Sequence, residues 1–159
     1  MAKLFFLTLT AVVVGLAIGG ADSSSAGPPP RDLVTVDTTV KDLDIDVDNS
    51  NDLSIGDQFI DVDVLKNAAA TRTIGRIDAI YTFTDVSEDS LTVHVDATAT
   101  LPGGTVELGG LFQLGESTGR IAITGGTGDY SAARGEVRTS IIPNSETDVR
   151  VVFDFEHGA

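Results

Sequence analysis

The sequence predicts an all-β domain, an eight-stranded antiparallel β-barrel preceded by a non-barrel leader. Three observations lead there. Apolar and polar residues alternate with period two along most of the chain after residue 32. Turn-forming Gly, Pro, Asn, Asp and Ser clusters separate these stretches at hairpin spacing. No segment carries a convincing 3.6-residue period.

Eight strands are expected, near 33–47, 57–65, 72–84, 91–101, 104–113, 119–124, 134–142 and 147–156. In the fourth, Leu91, Val93, Val95, Ala97 and Ala99 share one face, with Thr92, His94, Asp96, Thr98 and Thr100 on the other. Val149, Val151, Phe153 and Phe155 make the same stripe in the last. Pro102-Gly103-Gly104 is a tight-turn signal joining strands four and five. Alternation alone fits a sandwich nearly as well, but closure removes exposed edges and leaves an interior wide enough for one small ligand.

Before the strands, Lys3 and an apolar run from Leu4 to Ile18 precede small residues, the layout of a secretory signal peptide. Residues 1–26 are assigned to it, with cleavage near Ala21 or Ala26 and a secreted product. The run is short for a spanning helix, which needs about 20 apolar residues. Residues 27–32 read as a Pro-rich linker and 33–159 as the barrel domain. There is no cysteine, hence no disulfide and no thiol nucleophile. A net charge of −14 argues against nucleic acid or an anionic membrane as partner.

Ile123-Thr124-Gly125-Gly126-Thr127-Gly128 resembles a nucleotide-binding glycine turn. Such a site needs a parallel strand before the turn and a helix after it. Here both flanks alternate with period two, so a loop between antiparallel strands is expected instead.

Candidate chemistry lies with few residues. Asp42, Asp44, Asp46 and Asp48 alternate with apolar residues but lack the Gly and Glu of a calcium loop. They are expected on the solvent face of an edge strand, and no metal site is assigned. Asp61 and Asp63 share one face of the second strand: surface charges if outward, acid–base groups with raised pKa if inward. His94 shares a face with Asp96, no serine is placed to complete a triad, and His157 sits near the C-terminus. Arg134 follows the glycine loop and Asp129 sits inside it, either as a bracing pair or with the guanidinium at a barrel mouth.

Taken in order, Ile55-Gly56-Asp57-Gln58-Phe59, Ile74-Gly75-Arg76, Leu101-Pro102-Gly103-Gly104-Thr105-Val106-Glu107-Leu108-Gly109-Gly110, Ile123-Thr124-Gly125-Gly126-Thr127-Gly128-Asp129-Tyr130 and Ala133-Arg134-Gly135-Glu136-Val137 resemble the allene oxide cyclase and dirigent barrel superfamily, its small exported bacterial members above all. The resemblance runs from about Leu53 to Glu156. It implies a lipocalin-like eight-stranded barrel, a homotrimer, an apolar lumen and no cofactor. Its cyclases fix the conformation of an unstable epoxide during ring closure, and its dirigent proteins orient radicals or quinone methides during coupling. It therefore implies a small apolar or phenolic ligand whose cyclisation, isomerisation or coupling is guided. A non-catalytic lipid-like carrier and a structural barrel with a filled lumen are the alternatives. Gln58-Phe59-Ile60-Asp61 stands where the cyclases carry Pro-Phe-x-Asn, and no tyrosine follows Pro102 as in plant dirigents. By the same resemblance Asp63, with Arg134 and Asp129, takes the catalytic positions. Asp61, Tyr81, Phe83, His94, Phe112 and Phe153 are then candidates to line the ligand site.

Overall fold

The computed structural model describes residues 32–143, 145 and 148–156. The signal peptide, its cleavage sites, most of the linker and His157 lie outside them. Eight strands follow in order: β1 (Asp32–Ile45), β2 (Gln58–Asn67), β3 (Thr73–Val86), β4 (Leu91–Leu101), β5 (Gly104–Gln113), β6 (Thr118–Gly126), β7 (Gly135–Ile141) and β8 (Asp148–Phe155). Each pairs antiparallel with its sequence neighbour, and β8 pairs back with β1 to close the barrel.

Alternation sets the faces. In β4, Val93, Val95, Ala97 and Ala99 point inward and are buried, while His94, Asp96 and Thr100 are exposed. Leu65, Val93, Val95, Val106, Val137 and Phe153 are all less than 2% exposed, so this part of the interior is packed core. Phe153 stacks on Phe155, with ring centroids 6.1 Å apart.

The glycine segment serves packing. After β6 the chain makes one short 3₁₀ turn, Gly128–Tyr130, which lies against the β4–β5 hairpin. Gly128 has φ +58°, and a side chain there would place Cβ 2.0 Å from the Gly103 carbonyl oxygen. Tyr130 is buried and its hydroxyl donates to the Pro102 carbonyl at 3.3 Å. No helix follows, as the period-two flanks require.

Two irregularities in β1 position the site. Its pairing with β8 ends at Thr38–Asp148, whereas its pairing with β2 continues to Ile45–Gln58. Among the described residues, the far half of β1 therefore pairs with β2 alone. A shift in register between Thr39 and Lys41 also changes which residues share a face. Thr39 pairs with Asp63 before it, and Asp42 with Asp61 after it. Asp42 and Asp44 are exposed, as expected of an edge, yet they continue the face on which Asp61 lies.

Candidate functional site: a carboxyl cluster in the barrel

In β1 and β2 the polar face points inward. Thr35 is fully buried and Asp63 only 4% exposed, while Ile60, Val62 and Val64 take the outer side. Period-two spacing then places Asp37 and Thr39 beside Thr35, and Phe59 and Asp61 beside Asp63. Asp37 lies diagonal to Asp63 across the β1–β2 ladder, within side-chain reach. Across β3, Asp61 faces Ala79 and Phe59 faces Tyr81, whose ring centroid is 5.9 Å from that of Phe59.

Three carboxyls thus meet against aromatic rings and short side chains. Oδ1 of Asp37, of Asp61 and of Asp63 is buried without a hydrogen-bond partner, and among the described residues none of the three forms an ion pair. Burial pushes the Asp37 carboxyl up from 3.8 to about 8, helped by the charge of Asp63 and a hydrogen bond shared with it. Burial also pushes Asp61 up to about 7, with the charges of Asp63, Asp42 and Asp44 adding to it. Asp63 is raised by burial too, against hydrogen bonds from Thr39 and Asp37 that favour its ionised form. The Tyr81 phenol is pushed well above its ordinary value by burial and then by the three carboxylates.

Asp37 and Asp63 share one hydrogen bond between two carboxyls that burial raises, so they hold a proton in common and titrate as a pair. Two buried carboxyls sharing a proton can give one and take one back, which is what a proton-transfer site needs.

The other expected site residues are placed differently. His94 is exposed on the outer wall, with Nδ1 3.4 Å from Asp96, because it alternates with the inward Val93 and Val95. Arg134 is exposed, and its Nη1 donates back to the Ala133 carbonyl at 2.6 Å. The fold does not bring it to Asp63. Asp129 is exposed in the 3₁₀ turn, and its backbone N–H donates to the Gly103 carbonyl at 2.9 Å. Phe83 and Phe153 are buried among the core residues, and Phe112 is half-buried with its ring over Gly119. Asp37, Thr39 and Phe59 complete the cluster and were not anticipated. Their signal is the run Thr35, Asp37, Thr39, a polar stripe in register with Asp63.

Outside the lumen, one acidic group among the described residues has oxygens within 4.8 Å of one another: Asp46, Asp48 and Asp57. Both Asp57 oxygens already accept backbone N–H groups, from Val47 and Ser54, and Ser50 and Asn51 donate to Asp48 and Asp46. Two grooves of about 570 and 490 Å³ lie along the wall, the first beside Leu111, Phe112 and Arg138, the second beside Ile80, Asp96 and Glu107.

The family model described as "Dirigent-like protein" matches residues 26–156. The chain belongs to the dirigent-like family. Among solved structures, a pyocyanin demethylase is 22% identical, covers 76% of this chain and 97% of its own, and superposes with a TM-score of 0.66. The exo-specific intermolecular Diels–Alderase AbnU is 12% identical over 78% of this chain and 96% of its own, with a TM-score of 0.60. A pterocarpan synthase dirigent protein is 20% identical over 78% of this chain and 81% of its own, also at 0.60. At these identities the likeness establishes the dirigent-like barrel. Among curated proteins, none matches the sequence.

Proposed function

We propose that this dirigent-like chain is exported after cleavage near Ala21 or Ala26, assembles as a homotrimer, and binds a small molecule at the β1–β3 side of the barrel. There it guides a cyclisation, isomerisation or stereoselective coupling. The observation that carries the reading is the Asp37–Asp63 carboxyl pair, buried beside Asp61 and Tyr81 without a compensating cation among the described residues. Nothing in folding stability favours such a group, since burying unpartnered carboxyls costs free energy. Strain of this kind collects at functional sites.

Two contributions follow from the geometry. The walls hold a flexible reactant in one folded conformer, lowering the entropic part of the barrier. The Asp37–Asp63 pair gives its shared proton to an oxygen or nitrogen that gains electron density and takes one from the position that loses one, the proton passing along their common hydrogen bond. Each proton given is replaced by one received, so the pair returns to its starting state with no change in redox state. The named structural neighbours act as a demethylase, a Diels–Alderase and a pterocarpan synthase, and such a range supports a small-molecule site over any one reaction.

A non-catalytic carrier or a filled structural barrel is the second reading, favoured by the tight packing around Phe153 and Val95. The deciding experiment incubates the cleaved protein with a lipid and phenolic extract of its own culture, re-isolates it, and identifies bound and altered compounds. A chemically changed compound, lost in Asp63→Asn, is expected. An unchanged bound compound would favour the carrier, and nothing bound would favour the filled barrel.

A further inference from the structure

The three lumen carboxyls also say what charge the ligand carries, an inference that rests on the small-molecule site proposed above. Asp63 is 4% exposed, and one of its oxygens has no partner. The same holds for one oxygen each of Asp37 and Asp61. An ionised carboxylate accepts hydrogen bonds and donates none, so what these oxygens lack is a donor, preferably a positively charged one.

The charged groups facing the cluster are acidic. Asp42 and Asp44 approach Asp61 from β1, Tyr81 is a neutral phenol, and Asp78 acts on Asp63 only from the opposite face of β3, where it pairs with Arg76. Lys66 and Lys41, the nearest bases in sequence, pair across from Val36 and Val62 and so take the opposite face of the sheet. Among the described residues the cluster forms no ion pair with a basic side chain.

A metal ion is the first cation to consider, and the spacing does not suit one. Oxygens of Asp37, Asp61 and Asp63 do not close to within 4.8 Å of one another as a set, whereas those of Asp46, Asp48 and Asp57 do. A cation touching all three lumen carboxyls must be larger than a bare ion. The rest of the lining agrees: the Phe59–Tyr81 ring pair on one side, and the short side chains of Ala79, opposite Asp61, and Ala97 beyond it. Aromatic faces attract organic cations, and short apolar walls suit a flat ring better than a hydrated ion.

We propose that the ligand of this site is an organic cation, an aromatic or alkyl ammonium-type molecule whose charge seats between Asp61 and Asp63 and whose body lies on Phe59 and Tyr81. Its binding displaces a proton from the cluster, so affinity rises with pH as the carboxyls ionise. Over an apolar neutral analogue the preference is largest in alkaline solution.

The test uses a matched pair of probes, N-methylquinolinium and the neutral 1-methylnaphthalene, titrated calorimetrically into the cleaved protein at pH 5.5 and 8.5 in moderate salt. The expected result is a preference of about tenfold or more for the cation at pH 8.5 (a coupling of roughly 1.4 kcal/mol), much reduced at pH 5.5. Asp63→Asn and Asp61→Asn should each remove the preference while 1-methylnaphthalene still binds, which shows that the variants remain folded. The outer-wall variant Asp96→Asn should keep it. Equal or tighter binding of the hydrocarbon at pH 8.5 would overturn the cation assignment and leave the small-molecule site standing. Cation binding abolished by salt, or unchanged in both lumen variants, would assign it to the acidic exterior and overturn the proposal. If neither probe binds, the small-molecule reading fails with it.

Discussion

Replacing Asp37 by asparagine should stabilise this protein, and by an amount that depends on pH. The Asp37 carboxyl is held at about 8 in the folded chain against an ordinary 3.8. Between those values the folded form keeps a proton that the unfolded form has released, so stability falls as pH rises through the window. At ~1.4 kcal/mol per pH unit the full penalty is roughly 6 kcal/mol. Asp37 is only half-buried and water reaches the rim, so about 2–3 kcal/mol is the better expectation. Asparagine keeps the shape and an N–H to donate to Asp63, but does not titrate. Urea unfolding at pH 4.5, 6.5 and 8.5 should show wild type and Asp37→Asn nearly equal at the lowest pH. The variant should be ahead by about 2–3 kcal/mol at the highest, with the m-value unchanged. Repulsion among the chain's surplus acidic groups affects both proteins and cancels in the comparison. A gap that is constant with pH, or that narrows on the alkaline side, would refute the buried-carboxyl reasoning.

Three further outcomes are expected. Asp96→Asn, on the outer wall, should change stability by less than about 0.5 kcal/mol at every pH in the same assay. Gly128→Ala should cost at least ~2 kcal/mol, read as a fall in urea midpoint, because it forces a positive φ on a side chain that also meets the Gly103 carbonyl. Thr39→Val removes a hydrogen bond that favours ionised Asp63, so the Asp63 carboxyl should titrate at higher pH by carbon-detected NMR.

Alternation and turn chemistry made the strands legible: each observed strand overlaps its expected range, and β4 and β5 agree end to end. Period two has no sign, however. It says that Asp61 and Asp63 share a face and not which way that face points. In β4 burial follows hydrophobicity, so His94 goes outward. In β2, Ile60, Val62 and Val64 face out while Asp61 and Asp63 share the inner face with Leu65, and Asp37 of β1 lies on that same face. The direction depends on partners far along the chain, since β8 and β3 fix which face of β1 and β2 is enclosed. The register shift near Val40 is equally silent in composition, yet it aligns Asp42 with Asp61. Arg134 sits in the most family-like segment of the sequence, and its geometry follows from that loop's packing and not from the lumen.

The most direct test of the central claim is a carbon-detected NMR titration of the aspartate side-chain carboxyls from pH 3 to 10. Two steps belonging to the Asp37, Asp61 and Asp63 cluster are expected near pH 7 and 8, with Asp37 completing the later one. If all three carboxyls titrate below pH 5, the cluster is solvated and ionised, and the acid–base site proposed here does not exist.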